Sequence, residues 1–402
     1  MQPSTRMAIV RPYKPNLAEM AVYRPFLDEF EVTVFYTGVD EKSWRKQLDS
    51  FGLERMKAVR YRGYTDYVES GLLQRALDFK IGLGSLMLSH LADVLRHDII
   101  NVVDPIYAHV HQIVRRMQRH QKLVIVRWEN IWGRYEKIWL AARKGSSALK
   151  RADVVICVSQ AAMKTLSLPA GFGGTVAQVY PGIDLRAVRA VTRMVRKERP
   201  AILFTGRPQW GKGLDRLLAA FSIVVKHMRM DAELWVIGAD TAGSRRATAA
   251  LGIADRVHWF GRLPNVQVRQ KMAEATVFCQ PSLSSATWAE QFGFAMVEAM
   301  AQGLPIVAFD SGCIREVCGA DGVYASTGNA HSLAQALAVV LGSPEPAKQR
   351  GDRLRARAMR EFDADTQGLK MLKVIGKALD EPGKLRLAVG ASIPAIERGS
   401  QA

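Results

Sequence analysis

Two stretches in the second half of this 402-residue chain hold residue types suited to a phosphorylated ligand. The first is Gly206-Arg207-Pro208-Gln209-Trp210-Gly211-Lys212-Gly213, set between an apolar run at 201–205 and a helical pattern that starts at Leu214. Glycines let backbone amides come close to phosphate oxygens, and Arg207 and Lys212 add positive charge where the amino end of a helix already favours an anion. The combination suits a diphosphate clamp. An ordinary exposed strand-to-helix turn with two surface cations is the other reading of the loop alone. It is not a Walker A loop, because no complete Gly-x-x-x-x-Gly-Lys-Ser/Thr frame is present.

The second stretch runs from Pro281 to Met300 and carries Glu290 and Glu298. A strand pattern ends at Gln280, a polar loop follows, and an amphipathic helix starts near Gly293. Amides of Gly293, Phe294 and Ala295 at that helix start would face an anion in front of it. Glu298 follows Phe294 on the same helical face, where it can accept both hydroxyls of a ribose, and Glu290 can bond hydroxyls of a second sugar. A paired surface charge is the alternative for Glu298, but Met296, Val297 and Met300 around it point to burial, and a buried carboxylate needs a reason. The spacing of the two glutamates fits ribose recognition better than a glycosidase acid and nucleophile.

Loops can hold such residues only if a scaffold aims them. Short apolar runs alternate with helical patterns along the whole chain, which is the mark of parallel sheets built from βαβ units. Strand patterns fall at 7–10, 32–36, 57–61, 99–103, 123–126, 153–158 and 176–180, then at 201–205, 233–237, 257–260, 277–280, 305–309 and 322–325. Helical spacing fits 214–228, 266–275, 294–302 and 332–341, and a long polar helical pattern spans 346–379 before Pro382-Gly383. Pro181-Gly182 and the charged stretch 186–200 mark a linker. The expected division is 1–185, an N-terminal Rossmann-like domain, 186–380, a C-terminal one, and a tail at 381–402, with the last helix able to cross back to the first domain. Two such sheets would place the carboxyl ends of their strands along one cleft.

Composition agrees with a folded α/β chain: 48% of residues are hydrophobic and 23% charged. A formal charge of +18 raises the question of a polyanionic partner. Both halves are basic and no nucleic-acid-binding signature is present, so no nucleic-acid partner is expected. Basic clusters at 55–62, 115–122, 143–151 and 348–360 are interleaved with apolar residues; they read as solvated faces or as a surface for anionic membrane lipid. The four cysteines, Cys157, Cys279, Cys313 and Cys318, form no Cys-x-x-Cys pair and fit a reducing cytoplasm. No signal segment is expected from the short apolar run at 7–10, and the most apolar stretch, 79–95, holds Lys80, His90 and Asp93, so it reads as a buried or interfacial helix and not a membrane span. His109 and His111 point to different helix faces and read as structural, and no metal site is expected.

Taken together these motifs resemble glycosyltransferase family 4. Glu290 and Glu298, in Glu-Gln-Phe-Gly-Phe-Ala-Met-Val-Glu-Ala-Met-Ala followed by Gly303-Leu304-Pro305-Ile306-Val307-Ala308, look like its donor-site signature. Gly206-Arg207 with Lys212-Gly213 resembles its phosphate loop, Val179-Tyr180-Pro181-Gly182-Ile183-Asp184 its interdomain segment, and Ala152 to Ser159 its last N-domain strand. The resemblance implies the GT-B fold, with two Rossmann-like doubly wound parallel-sheet domains facing across a cleft. It also implies a retaining, metal-independent hexosyltransferase without cofactor, using a nucleoside-diphosphate sugar as donor. In the roles it implies, Arg207 and Lys212 neutralise the diphosphate, Glu298 holds the ribose, and Glu290 with the amides of Gly293 and Phe294 holds the donor sugar. The acceptor would be a glycan, a lipid-linked molecule or a small molecule, handled in the cytoplasm or at its membrane face.

The first half departs from that pattern. Arg11-Pro12-Tyr13-Lys14-Pro15 stands where a glycine-rich loop is usual, and Arg127-Trp128-Glu129-Asn130 stands where relatives carry a histidine; Glu129 and Asn130 are the candidates for acceptor orientation. A non-catalytic sugar-nucleotide-binding or membrane-surface module with the same fold is the competing reading, and an epimerase or phosphorylase a third.

Overall fold

The computed structural model describes residues 5–12, 17–38, 41–63, 85–128, 144–194, 199–285, 288–380 and 386–387. The chain divides into two compact units, Met1–Tyr180 with Gly368–Ala402, and Pro181–Gln367.

The sheet of the first unit contains β1 (Arg6–Val10), β2 (Glu31–Tyr36), β3 (Lys57–Arg60), β4 (Ile99–Val103), β5 (Lys122–Arg127), β6 (Val154–Cys157), β7 (Thr175–Gln178) and, from the returning chain, β14 (Arg386–Leu387). Its order is β14-β7-β6-β5-β4-β1-β2-β3 and every pairing is parallel. β1 is in register with β2 on one side (Met7 beside Val32) and with β4 on the other (Met7 beside Ile99). Parallel strands are covered on both faces, so their residues are apolar in succession; all five positions of β4 are buried. One face packs Ala8, Val10, Ile100, Val102, Ile125 and Val155 into a single core.

In the second unit the strands are β8 (Ala201–Thr205), β9 (Glu233–Ile237), β10 (Val257–Gly261), β11 (Val277–Gln280), β12 (Ile306–Phe309) and β13 (Val323–Ala325). They lie in the order β10-β9-β8-β11-β12-β13, again all parallel. Phe204, Val236 and Val307 of the sheet pack with Leu217 and Phe221 of the helix Leu214–Ser222 and Leu337 of the helix Ala330–Gly342.

Two helical expectations are corrected. The pattern at 346–379 is two helices, Pro344–Glu361 and Ala364–Asp380. Between them the backbone leaves the helix to pair with Ile183: Ile183 N donates to Phe362 O at 2.7 Å and Ala364 N to Ile183 O at 2.9 Å. Asp363 then accepts from Thr366 N at 2.9 Å, which starts the next helix. Gly182, at φ 70, makes room, since a Cβ there would sit 2.7 Å from Ala364 Cα. The second helix begins in the second unit and enters the first at Gly368. Nor is 79–95 one helix: among its described residues 86–90 are not helical, Met87 bridges Gly63, and the helix Leu91–Val94 begins after His90 at φ 61. No described helix is long and apolar enough to cross a membrane.

His109 lies in the helix Ala108–Val114 and is fully buried, its ring stacked 5.8 Å from that of Tyr107. Among the described residues neither ring nitrogen has a hydrogen-bond partner. Burial, aided by the charges of Arg11 and His111, lowers its pKa from 6.5 to about 3. Below pH 6.5 the unfolded chain takes up a proton that the native chain refuses, so this stability is present above 6.5 and is lost as pH falls. Urea titrations at a series of pH values should show a loss of about 2 kcal/mol from this residue between pH 6.5 and 5. His109→Leu should flatten that slope, and an unchanged slope would remove the assignment.

Candidate functional site

The chain leaves β8 for β9 and β10, then returns across the sheet to β11, so the strand order reverses between β8 and β11. At such a switch point the connections on either side diverge and leave a crevice outside the carboxyl ends of the two strands. The loops that follow β8 and β11 are the two stretches with the diphosphate-type and carboxylate residues.

These loops are joined through backbone made accessible by glycine. Leu283 N donates to Gly211 O at 2.9 Å. A Cβ on Gly211 would lie 2.4 Å from the Trp288 ring, and one on Gly213, at φ 67, would lie 1.9 Å from Pro281 O. Only residues without a side chain permit this approach. The tight turn Trp210–Lys212 then carries the lysine across to the second loop. Lys212 Nζ meets Glu290 Oε2 at 2.7 Å and sits 5.6 Å from the Trp288 ring centroid.

Glu290 is buried, and the same oxygen accepts from Ser282 Oγ at 2.8 Å and Gln280 Nε2 at 3.0 Å. Its backbone is fixed from a third loop, after β12: Cys313 N donates to Glu290 O at 3.2 Å, and Gly312, at φ 56, leaves no room for a Cβ, which would be 2.4 Å from that oxygen. A charge-assisted bond to lysine and two neutral donors compensate the carboxylate for leaving water.

Glu298 has a different environment. It lies on the helix Phe294–Ala301, which starts from Gly293 at φ 78 with no side-chain cap. Its Oε1 is 3.4 Å from Arg269 Nη1 of the helix Asn265–Glu274. Burial raises the Glu298 carboxyl above the usual range, Arg269 pulls it down, and Asp184 adds a smaller push upward.

Of the residues singled out in the sequence, the structure joins Lys212 to Glu290 and sets Gly206 beside the lysine stem, where a Cβ would be 3.5 Å from Lys212 Cγ. Arg207 lies in the same loop, exposed, and makes no ion pair among the described residues. Gly293, Phe294 and Ala295 form the helix start, with the Phe294 ring edge-on to Phe292 at 5.1 Å. Glu298 pairs with Arg269. Glu129 and Asn130 lie outside the described residues. Gln280, Ser282, Arg269, Trp288 and Gly312 escaped the sequence reading. Gln280 and Ser282 did leave a signal: two polar residues, two apart, closing the apolar strand Val277–Gln280, which puts both side chains on one side of an extended chain.

Two doubly wound parallel-sheet units, with convergent polar residues at the switch point of the second, define a protein of the two-domain Rossmann-like class. Residues 199–343 match the family described as Glycosyl transferases group 1. The chain is 27% identical over 281 residues to the MMP alpha-(1->4)-mannosyltransferase of Mycolicibacterium hassiacum, across 68% of this chain and 66% of that protein. It is 25% identical over 221 residues to the phosphatidyl-myo-inositol mannosyltransferase of Mycobacterium leprae, across 54% and 57%. The chain thus covers less than two thirds of the length of either relative. Among solved structures it resembles the sucrose-phosphate synthase of Thermosynechococcus elongatus, with a TM-score of 0.71 at 17% identity over 94% of this chain and 99% of that one. That likeness carries the fold, which is of the GT-B class.

The loop packing is open to a direct test. Gly213→Ala places a side chain at a positive φ against a carbonyl oxygen and should destabilise the second unit by more than about 2 kcal/mol. Denaturant unfolding of the variant with native-like stability would show that the two loops are not held as described.

Proposed function

We propose that the chain is a retaining glycosyltransferase that moves a hexose-type sugar from a nucleoside-diphosphate sugar to a glycan or lipid-linked acceptor. The observation that carries this reading is the Lys212 to Glu290 contact of 2.7 Å beneath a glycine-rich loop at the sheet's switch point. It puts a cation for a diphosphate and a carboxylate for sugar hydroxyls side by side. In this reading Arg207 and Lys212 neutralise the charge that develops on the departing diphosphate, and the helix start at Gly293, Phe294 and Ala295 adds amide dipoles. Fixed positive groups of this kind favour the transition state over the bound substrate, because the leaving group gains charge as the glycosidic bond breaks. Glu298 holds the ribose hydroxyls, Glu290 those of the transferred sugar, and neither metal nor cofactor has a role. The two relatives are named as mannosyltransferases, one of them acting on phosphatidyl-myo-inositol, which makes mannose donors and lipid acceptors the first to try.

A thermal-shift and transfer screen with guanosine, uridine and adenosine diphosphate sugars tests this. A donor at a hundred times its dissociation constant should stabilise the native chain by roughly 2.7 kcal/mol, and Glu298→Ala should abolish the shift. Glu290→Gln should keep nucleoside-diphosphate binding and lower turnover by about a hundredfold. Because burial raises the Glu298 carboxyl, donor affinity should weaken as pH falls, starting at a higher pH than an ordinary glutamate would give. A chain that binds none of these sugars is not a transferase of this kind.

For a lipid-linked acceptor, the net charge of +18 and the exposed Arg115, Arg116 and Arg119 support contact with an anionic membrane surface. Binding to vesicles containing anionic lipid should fall with salt, and should drop when those three arginines are changed to glutamate; indifference to both would remove the membrane from the proposal.

A further inference from the structure

We infer that Gln280 and Ser282 are positioning residues that set the orientation of the Glu290 carboxylate toward the transferred sugar; this rests on the donor-site reading above. The argument starts from one oxygen. Glu290 Oε2 receives Lys212 Nζ at 2.7 Å, Ser282 Oγ at 2.8 Å and Gln280 Nε2 at 3.0 Å. A carboxylate oxygen offers about two lone-pair directions, so three donors saturate it. The plane of the carboxylate that a sugar hydroxyl meets is thereby fixed.

Lys212 alone cannot impose that plane. Its ammonium is a point charge on a flexible stem, which attracts a carboxylate without selecting its rotation. Gln280 and Ser282 do select it. Both are almost fully buried, at 3% and 0% exposure. Gln280 closes β11 and Ser282 follows it two residues on, and both side chains reach the same Glu290 oxygen. Gln280 Nε2 also donates to Ser282 Oγ at 2.6 Å, which leaves the serine hydroxyl proton to point at Glu290. The result is a relay of fixed direction, amide to hydroxyl to carboxylate, running from the last residue of β11 into the loop that follows it. Such a network has a cost in an otherwise apolar strand end, since buried polar atoms must all be satisfied, and packing alone would be served by apolar residues of the same size. When a diphosphate draws on the charge of Lys212, these two neutral donors are what keep the carboxylate in place.

The experiment uses the full chain, one nucleotide sugar selected by the screen above and the matching nucleoside diphosphate. Ser282→Ala removes the hydroxyl, Ser282→Thr retains it, and Gln280→Glu keeps the shape while placing a second carboxylate against Glu290. Ser282→Ala and Gln280→Glu should bind the nucleoside diphosphate as the native chain does. They should lose the added affinity due to the sugar and about a hundredfold in turnover of the nucleotide sugar. Ser282→Thr should retain both. Gln280→Glu should recover part of its loss as pH is lowered and the paired carboxyls share a proton, which a packing role would not produce. Thermal unfolding of each variant checks that it is folded. Folded variants that bind and turn over the nucleotide sugar like the native chain overturn the positioning role and leave the donor site standing. A native chain that binds neither ligand overturns both.

Discussion

The second unit depends on one contact, the ion pair between Lys212 and Glu290. The side chains are 18% and 8% exposed, so both charges have given up most of their water. Two charges brought together in this way gain little over an apolar pair, but separating them takes a charge-assisted bond from a buried carboxylate that two neutral donors replace only in part. The loops that carry them therefore have to be held at fixed separation. That requirement explains the glycines: Gly211 and Gly213 allow the first loop to lie on Trp288 and Pro281 of the second, and Gly312 brings a third loop against the backbone of Glu290. Such backbone-to-backbone packing is rigid in the way that side-chain contacts between exposed loops are not.

Most of the scaffold was legible because parallel strands are covered on both faces. The runs at 99–103, 201–205, 233–237 and 277–280 stand out as apolar, and these are strands with those bounds. The misread elements share a physical cause. The 346–379 pattern keeps helical spacing through Phe362 and Asp363, yet the chain there pairs with Ile183, a partner far away in sequence. Local propensity holds no record of such a pairing, and tertiary contact overrides it. His90 likewise takes a left-handed conformation that no spacing rule anticipates.

The candidate site shows the same division. Lys212 and Glu290 were visible by residue type and by their place just before helices. Their mutual contact spans 78 positions and could be inferred only through a fold in which β8 and β11 are neighbours. Arg269 left no trace at all: it lies on a helix whose polar residues give it no distinguishing pattern, and its meaning comes from Glu298 alone.

Two glutamates eight positions apart have thus been given opposite surroundings. Glu290 is held by three donors converging on one oxygen, a setting that fixes its direction. Glu298 faces a single guanidinium at 3.4 Å, and burial raises its pKa. The first carboxylate is held in one rotation by short bonds, while the second keeps a looser partner. The fold decides neither feature, since a TM-score of 0.71 comes with only 17% identity. What distinguishes this chain within its class is therefore to be sought in the few buried polar residues that orient those two carboxylates, and Gln280, Ser282 and Arg269 are the ones its structure supplies.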